Sequence, residues 1–143
     1  MFGVRNRADA YKKVGVETGV STASPHQLIV MLYDGALMAL SKAIAAFEAG
    51  EIAARGASLS KAIEIIDNGL RASLDMKAGD GEMSARLDAL YEYMCDRLLH
   101  ANLRADPAPV KEVMGLLGSL REAWVQIDPM NQQRSAAQGT EAF

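Results

Sequence analysis

Apolar residues recur at alternating steps of four and three in four successive stretches of the chain. This spacing places them on one face of an α-helix. Glycine, proline and aspartate separate the stretches, as expected where helices end. Half of the 143 residues are hydrophobic while only 6% are aromatic, which favours helices over strands. The chain is therefore predicted to be all-α, with one core shared by four helices.

The first predicted helix begins at a capping signal. Ser24 suits the N-cap, Pro25 suits the first helical position, and Gln27 completes a capping box. Gly50 is a natural C-terminal cap. The core stripe of this helix comprises Ile29, Tyr33, Ala36, Leu40, Ala43 and Phe47.

Three further helices are predicted, over 51–76, about 82–104, and from a cap at Asp106 to about Ile127. Short connections and similar lengths predict an antiparallel up-down-up-down four-helix bundle. We assign 22–127 to the bundle, 1–21 to an N-terminal arm, and the polar, unpatterned residues 128–143 to a disordered C-terminal tail. The further stripes are Ile52, Gly56, Leu59, Ile63, Ile66, Leu70 and Ser73; Met83, Leu87, Leu90, Met94, Leu98 and Ala101; and Val110, Val113, Leu117, Leu120, Trp124 and Ile127.

Composition argues against several classes of partner. The 18 acidic and 15 basic residues give a net charge of -3, and no basic cluster with interleaved aromatics occurs, so nucleic acid is not expected as a partner. The longest apolar run, 28–33, is far shorter than the roughly 20 residues needed to span a bilayer. No signal peptide is apparent. A single cysteine is consistent with a reducing compartment, and we expect a cytoplasmic protein without membrane insertion.

Residue spacing does not favour metal or catalytic chemistry. Di-iron bundles use Glu-x-x-His on two helices, but Ala23 precedes His26 by three residues and Arg97 precedes His100 likewise. We expect His26 to face solvent in the first turn of its helix. Cys95 lacks the signature of a nucleophile and is predicted to be a small buried hydrophobe. The sequence predicts no cofactor, no metal and no enzymatic activity.

Two helices carry a second apolar strip beside the core stripe. Gly69 in the second helix costs about 1 kcal/mol relative to alanine, which calls for a packing reason. A partner helix could lie along this strip, or a neighbouring helix of the same bundle could cover it. The strips comprise Leu28, Met31, Gly35, Met38 and Ala39 on the first helix, and Ser58, Ala62, Ile65, Gly69, Ala72 and Met76 on the second.

Four segments together resemble the FliS-like family of flagellin-specific secretion chaperones of the bacterial flagellar export system. The first and third are the more specific, and "AYKKVGVET" at 10–18 extends the resemblance into the arm. "GVST" at 19–22 is longer than the commoner family form. The segments are "TASPHQLIVMLYDGAL" at 22–37, "KAIEIIDNGLRASLD" at 61–75, "LYEYMCDRLLHAN" at 90–102 and "VMGLLGSLREAW" at 113–124.

The resemblance implies a cytoplasmic helical-bundle chaperone that binds the C-terminal segment of flagellin, blocks premature polymerisation and presents the subunit to the flagellar export gate, without nucleotide or metal. It also makes Tyr11 a candidate contact for client or gate, with Val14 beside it in the arm. The remaining candidate client contacts are Leu28, Met31, Gly35, Met38, Ala62, Ile65, Gly69, Ala72 and Met76.

Two other hypotheses remain open from the sequence. One is a non-catalytic adaptor or regulator that docks a folded partner on the same surface, and the other is a di-iron enzyme. A chaperone should prefer an unfolded flagellin tail, whereas an adaptor should prefer a structured surface. The free chain is also a candidate for weak homodimerisation through its exposed strip.

Overall fold

A computed structural model describes residues 23–127, which contain four α-helices and no strand. The predicted arm with Tyr11 and Val14, and the predicted tail at 128–143, lie outside the described residues. The helices are α1 (Pro25–Ala49), α2 (Ile52–Glu64), α3 (Glu82–Arg104) and α4 (Ala108–Gln126), and α2 continues into a π-helical segment (Ile65–Leu70) and a 3-10 turn (Arg71–Ser73).

The caps predicted for α1 are confirmed. The Ser24 hydroxyl accepts the backbone N–H of Gln27 at 3.1 Å, and the Gln27 side chain accepts the backbone N–H of Ser24 at 2.9 Å. At the other end, Gly50 adopts φ 70° and donates its N–H to the carbonyls of Ala46 and Phe47. Only glycine reaches this left-handed conformation without a steric cost, so α1 ends where the sequence predicts.

The helices form an antiparallel bundle, as predicted, because each packs against its neighbours in sequence and α4 returns to pack against α1. Arg55 near the start of α2 donates to Asn102 near the end of α3 at 3.1 Å. Asp34 in the first half of α1 pairs with Arg121 near the end of α4. The largest fully buried side chains of the core are Leu32, Leu40, Leu59, Ile65, Ile66, Met94, Leu98, Leu117, Val110 and Val113.

The π-helical segment corrects the prediction of an uninterrupted α-helix over 51–76. Ile65 and Ile66 are both buried, and so are Gly69 and Leu70. Successive residues of an α-helix are about 100° apart, so both members of each adjacent pair would lie near the edges of the side that faces the core. The wider π turn accommodates an extra residue on that side. Within the π-helical segment, the two apolar strips of the sequence therefore merge into one buried surface.

Residues after Ser73 also depart from the prediction, because the chain turns away three residues earlier than expected. The Asp75 carboxylate accepts the N–H of Lys77 at 3.0 Å, which fixes a turn in place of a last helical turn. The sequence predicts Asp106 as the N-cap of the fourth helix, but the N-cap is Pro107, one residue later. The Asp106 carboxylate still accepts the N–H of Ala108, the first residue of α4, at 3.0 Å. Met76 thus lies in a loop, at the end of the bundle where α1 and α3 begin.

Candidate functional site

An apolar groove of about 290 Å³ opens at the end of the bundle where α1 and α3 begin and α2 and α4 end. Side chains from α1, α3 and α4 line it, together with side chains from the π-helical segment, the 3-10 turn and the loop that follows. A groove of this size is large enough for a few side chains of a docked segment. Its lining residues are Ile29, Tyr33, Leu70, Ser73, Leu74, Asp75, Ala78, Met83, Ser84, Leu87, Tyr91 and Trp124.

Two serines at the edge of the groove satisfy backbone carbonyls at the point where the second helix ends. Ser73 donates its hydroxyl to the carbonyl of Gly69 at 2.7 Å, and Ser84 donates its hydroxyl to the carbonyl of Asp75 at 2.6 Å. Buried carbonyls without a donor would be costly. The serines therefore hold the loop against α3 while the groove stays mostly apolar.

Two tyrosines meet at the floor of the groove. The hydroxyl oxygens of Tyr33 on α1 and Tyr91 on α3 lie 2.5 Å apart, and each residue is only 2% exposed. Burial is the main cause that raises the pKa of both phenols, so both stay protonated at neutral pH. The sequence placed Tyr33 on the core stripe but gave no signal that Tyr91 would meet it.

A reciprocal contact between His26 and Trp124 joins the start of α1 to the end of α4. His26 donates through Nε2 to the Trp124 carbonyl at 2.6 Å, and Trp124 donates through Nε1 to the His26 carbonyl at 3.3 Å. The two rings stack in parallel with centroids 4.9 Å apart. The expectation that His26 faces solvent is therefore wrong, because α4 covers it.

Replacing His26 by alanine is expected to destabilise the protein by about 1.5 kcal/mol, since one hydrogen bond and one ring stack are lost. A fall in Tm of roughly 5 °C should accompany a red shift of emission from Trp124, the sole tryptophan. The exposed His100 supplies the matched control, and His100→Ala should leave both readouts unchanged. Equal melting of the two variants would contradict the stabilising role of the contact.

Charged side chains surround the bundle without forming a catalytic set among residues 23–127. Arg71 at the end of the second helix bonds Asp88 on α3 at 2.6 Å and also reaches Asp67 and Glu92. The hydrogen bond from Arg71 holds the pKa of Asp88 below its ordinary range. These groups tie neighbouring helices together. Over the same residues, no group of three His, Cys, Asp or Glu side chains is arranged to hold a metal ion.

Cys95 lies half-buried against the core, and burial raises the pKa of its thiol to about 11. A nucleophilic cysteine needs the opposite shift, because the thiolate is the reactive form. The side chain therefore behaves as the small hydrophobe that the sequence predicted, although it is only partly buried.

Three of the six residues in the apolar strip predicted for the second helix are buried, and Gly69 packs against α1. A Cβ placed on Gly69 would lie 3.0 Å from Cδ2 of Leu32, so the missing side chain makes room for α1 of the same bundle. The expectation of an open surface is wrong for four residues, which are buried in the core: Leu28, Ala62, Ile65 and Gly69.

The other predicted contacts within the described chain remain partly or fully accessible. On α1, Met31 and Gly35 are half-buried and Met38 is exposed, and after the π-helical segment Ala72 and Met76 are exposed. None of these five lines the groove. Sequence analysis missed the groove itself because its floor and rim join the ends of four helices, which no local pattern relates to one another.

One further property of α1 concerns membranes. By length and composition it is apolar enough to cross a bilayer, with a mean hydropathy of 1.6 in its most apolar window. A core helix shared by three neighbours has the same character, and 44% of that window is buried inside the bundle. Packing in the core therefore accounts for part of the apolar surface of α1.

These features define a four-helix bundle with an apolar groove at one end. Comparison with known proteins narrows this class to a family. The family described as "Flagellar protein FliS" matches residues 7–131. The "Flagellar secretion chaperone FliS" of Salmonella typhimurium is 55% identical over 84% of this chain and 88% of its own length, and that of Escherichia coli is 49% identical over 80% and 84%.

A more distant relative, the "Flagellar secretion chaperone FliS" of Vibrio cholerae, is 37% identical over 94% of this chain and 98% of its own length. The chain therefore belongs to the FliS family of flagellar secretion chaperones, and the resemblance noted in its sequence is confirmed. It serves as an export chaperone for the flagellum, and it is not an enzyme.

Proposed function

We propose that this chaperone binds the C-terminal segment of flagellin in the cytoplasm, prevents its premature polymerisation and delivers it to the flagellar export gate. The observation that carries the proposal is the apolar groove between the helix ends. It leaves apolar side chains open to a partner in a member of a flagellar export family. The other candidate, docking of a folded partner, has no comparable support.

Binding of an unfolded segment to this groove would couple folding to association. Ordering a segment that becomes helical as it binds costs several kcal/mol of free energy. Burial of apolar surface must offset this cost, at about 25 cal/mol per Å². Met83 at the rim is 68% exposed and is available for that burial. Release requires no covalent chemistry, because the groove holds its client only by contacts that mechanical extraction can break.

Surfaces beyond the groove extend the proposed interface. Met31, Gly35 and Met38 on α1 remain candidate contacts, and so do Ala72 and Met76 after the π-helical segment. Methionines make adaptable apolar contacts. Tyr11 keeps the role that the family resemblance gives it, as a contact for the client or the export gate, and Val14 beside it in the arm remains a candidate client contact. Weak pairing of free chains through the same apolar surface belongs to the proposal too.

Calorimetric titration with a peptide of the C-terminal segment of flagellin tests the proposal. We expect saturable one-to-one binding with a negative heat-capacity change, the signature of apolar burial. A scrambled peptide should not bind. Titrations at several protein concentrations separate client binding from weak pairing of free chains. A well-folded protein that binds neither peptide would refute the flagellin proposal and favour a folded partner.

A further inference from the structure

The hydroxyl groups of Tyr33 and Tyr91 leave one hydrogen-bond donor over. Two tyrosines carry two O–H groups, and their mutual contact uses one of them. Within residues 23–127, neither hydroxyl has another hydrogen-bond partner. Whichever tyrosine donates to the other, the accepting tyrosine keeps an O–H hydrogen that no described group receives.

Among the described side chains of the groove, no other has an unused hydrogen-bond donor. Ser73 and Ser84 give their hydroxyl hydrogens to backbone carbonyls, and the indole N–H of Trp124 goes to the carbonyl of His26. Of the described lining side chains, only the tyrosine pair therefore holds a donor in reserve. It lies in residues that are 98% buried, at the floor of a groove whose remaining lining is mostly apolar.

We infer that the Tyr33–Tyr91 pair determines specificity by donating its second O–H to an uncharged carbonyl oxygen of the bound segment. This inference rests on the proposed function and adds a polar requirement to it. A client that brings an acceptor to this point forms a hydrogen bond shielded from water, whereas a purely apolar client leaves the donor unsatisfied. Specificity of this kind exceeds what apolar surface alone provides.

The chemistry of the groove indicates why the acceptor is an uncharged carbonyl. Among residues 23–127, no basic residue lines the groove and Asp75 does line it, so a carboxylate entering here would meet no compensating charge from the described lining. A carbonyl can come from two sources. A helix leaves its last four backbone carbonyls unpaired, and asparagine or glutamine carries a carbonyl in its side chain.

Three variants of the chaperone separate this role from simple packing. Tyr33→Phe and Tyr91→Phe each lose the mutual bond and strand one buried O–H, so both should melt below wild type. The double variant removes both hydroxyls and strands neither, so it should melt above the two single variants and close to wild type. Thermal unfolding followed by circular dichroism measures this order.

The affinities of these variants for the flagellin peptide should follow a different order from their melting temperatures. Each single variant keeps one O–H for the client and should bind the flagellin peptide within about twofold of wild type. The double variant has no donor left and should bind about tenfold more weakly, because the client carbonyl enters the groove unpaired. Tyr93→Phe is the matched control, since Tyr93 is exposed and bonds Glu112 away from the groove. It should bind as wild type does.

Peptide variants identify the source of the carbonyl. Each asparagine and glutamine of the peptide is replaced in turn by leucine and titrated against wild type and the double variant. A side-chain carbonyl is indicated if one replacement weakens binding to wild type about tenfold but leaves binding to the double variant unchanged. A backbone carbonyl is indicated if no replacement behaves so while the double variant stays weak with every peptide.

Several results would overturn the inference. Wild-type affinity in the double variant would show that no client group uses the donor. Equal losses in the single and double variants would indicate packing instead. A double variant that melts well below the single variants would show that the pair only stabilises the free bundle. Failure of the wild-type protein to bind the peptide refutes the proposed function itself, which separates the two conclusions.

Discussion

Leucine in place of Gly69 is expected to destabilise the bundle by about 3 kcal/mol, near the upper end for overpacked cores. A Cβ at this position already lies 3.0 Å from Cδ2 of Leu32, and Leu32 is fully buried, so the larger side chain must push α1 away from the π-helical segment. A Tm lower by roughly 10 °C would report this change in thermal unfolding.

A second substitution tests the cause of that loss. Leu32→Ala alone should cost about 3 kcal/mol through the cavity that it leaves. Combined with Gly69→Leu it returns much of the missing volume, so the double variant should lose clearly less than the sum of the two. Losses that simply add would show that Gly69 and Leu32 do not share this space.

Gly115 on α4 provides the matched control. It lies within a helix as Gly69 does, but a Cβ there meets nothing within 4 Å. Gly115→Leu should therefore leave stability unchanged or raise it by up to about 1 kcal/mol through helix propensity. A comparable fall at Gly115 would indicate that any leucine at a helical glycine is harmful, independent of contact with α1.

The contrast between α1 and the second helix shows what the sequence can predict. α1 is defined by local signals, namely the capping box of Ser24 and Gln27 and the glycine cap at Gly50, and each acts within a few residues. The second helix carries two apolar strips of similar strength, and local spacing cannot decide which is buried. The structure buries part of both, and one of the contacts that bury them, between Gly69 and Leu32, comes from α1.

The groove depends even more on contacts distant in sequence. Tyr33 and Tyr91 are 58 residues apart, and His26 and Trp124 are 98 residues apart. Within its own helix, each of the four residues can be assigned to the core stripe, to a flank or to an end. Only the antiparallel arrangement of the four helices brings them to one end of the bundle, so the family could be inferred from the sequence but the groove could not.

Glutamate in place of Met83 is expected to weaken binding of the flagellin peptide at least about 30-fold. Burial of a methionine side chain contributes roughly 2 kcal/mol, which is lost, and a carboxylate facing an apolar client adds a desolvation cost. The fold should be unaffected, because Met83 is 68% exposed in the first turn of α3, where a negative charge is favourable. Calorimetric titration measures the affinity and circular dichroism checks the fold.

Met38→Glu makes the same chemical change outside the groove. Met38 is 63% exposed on α1 and does not line the groove, although its apolar strip was predicted to contact the client. If the groove is the principal site, this variant should bind within about threefold of wild type. A large loss at Met38 with little loss at Met83 would instead place the client along α1. Losses at both would require a client long enough to cover the groove and the α1 strip together, as a segment wrapped around the bundle would.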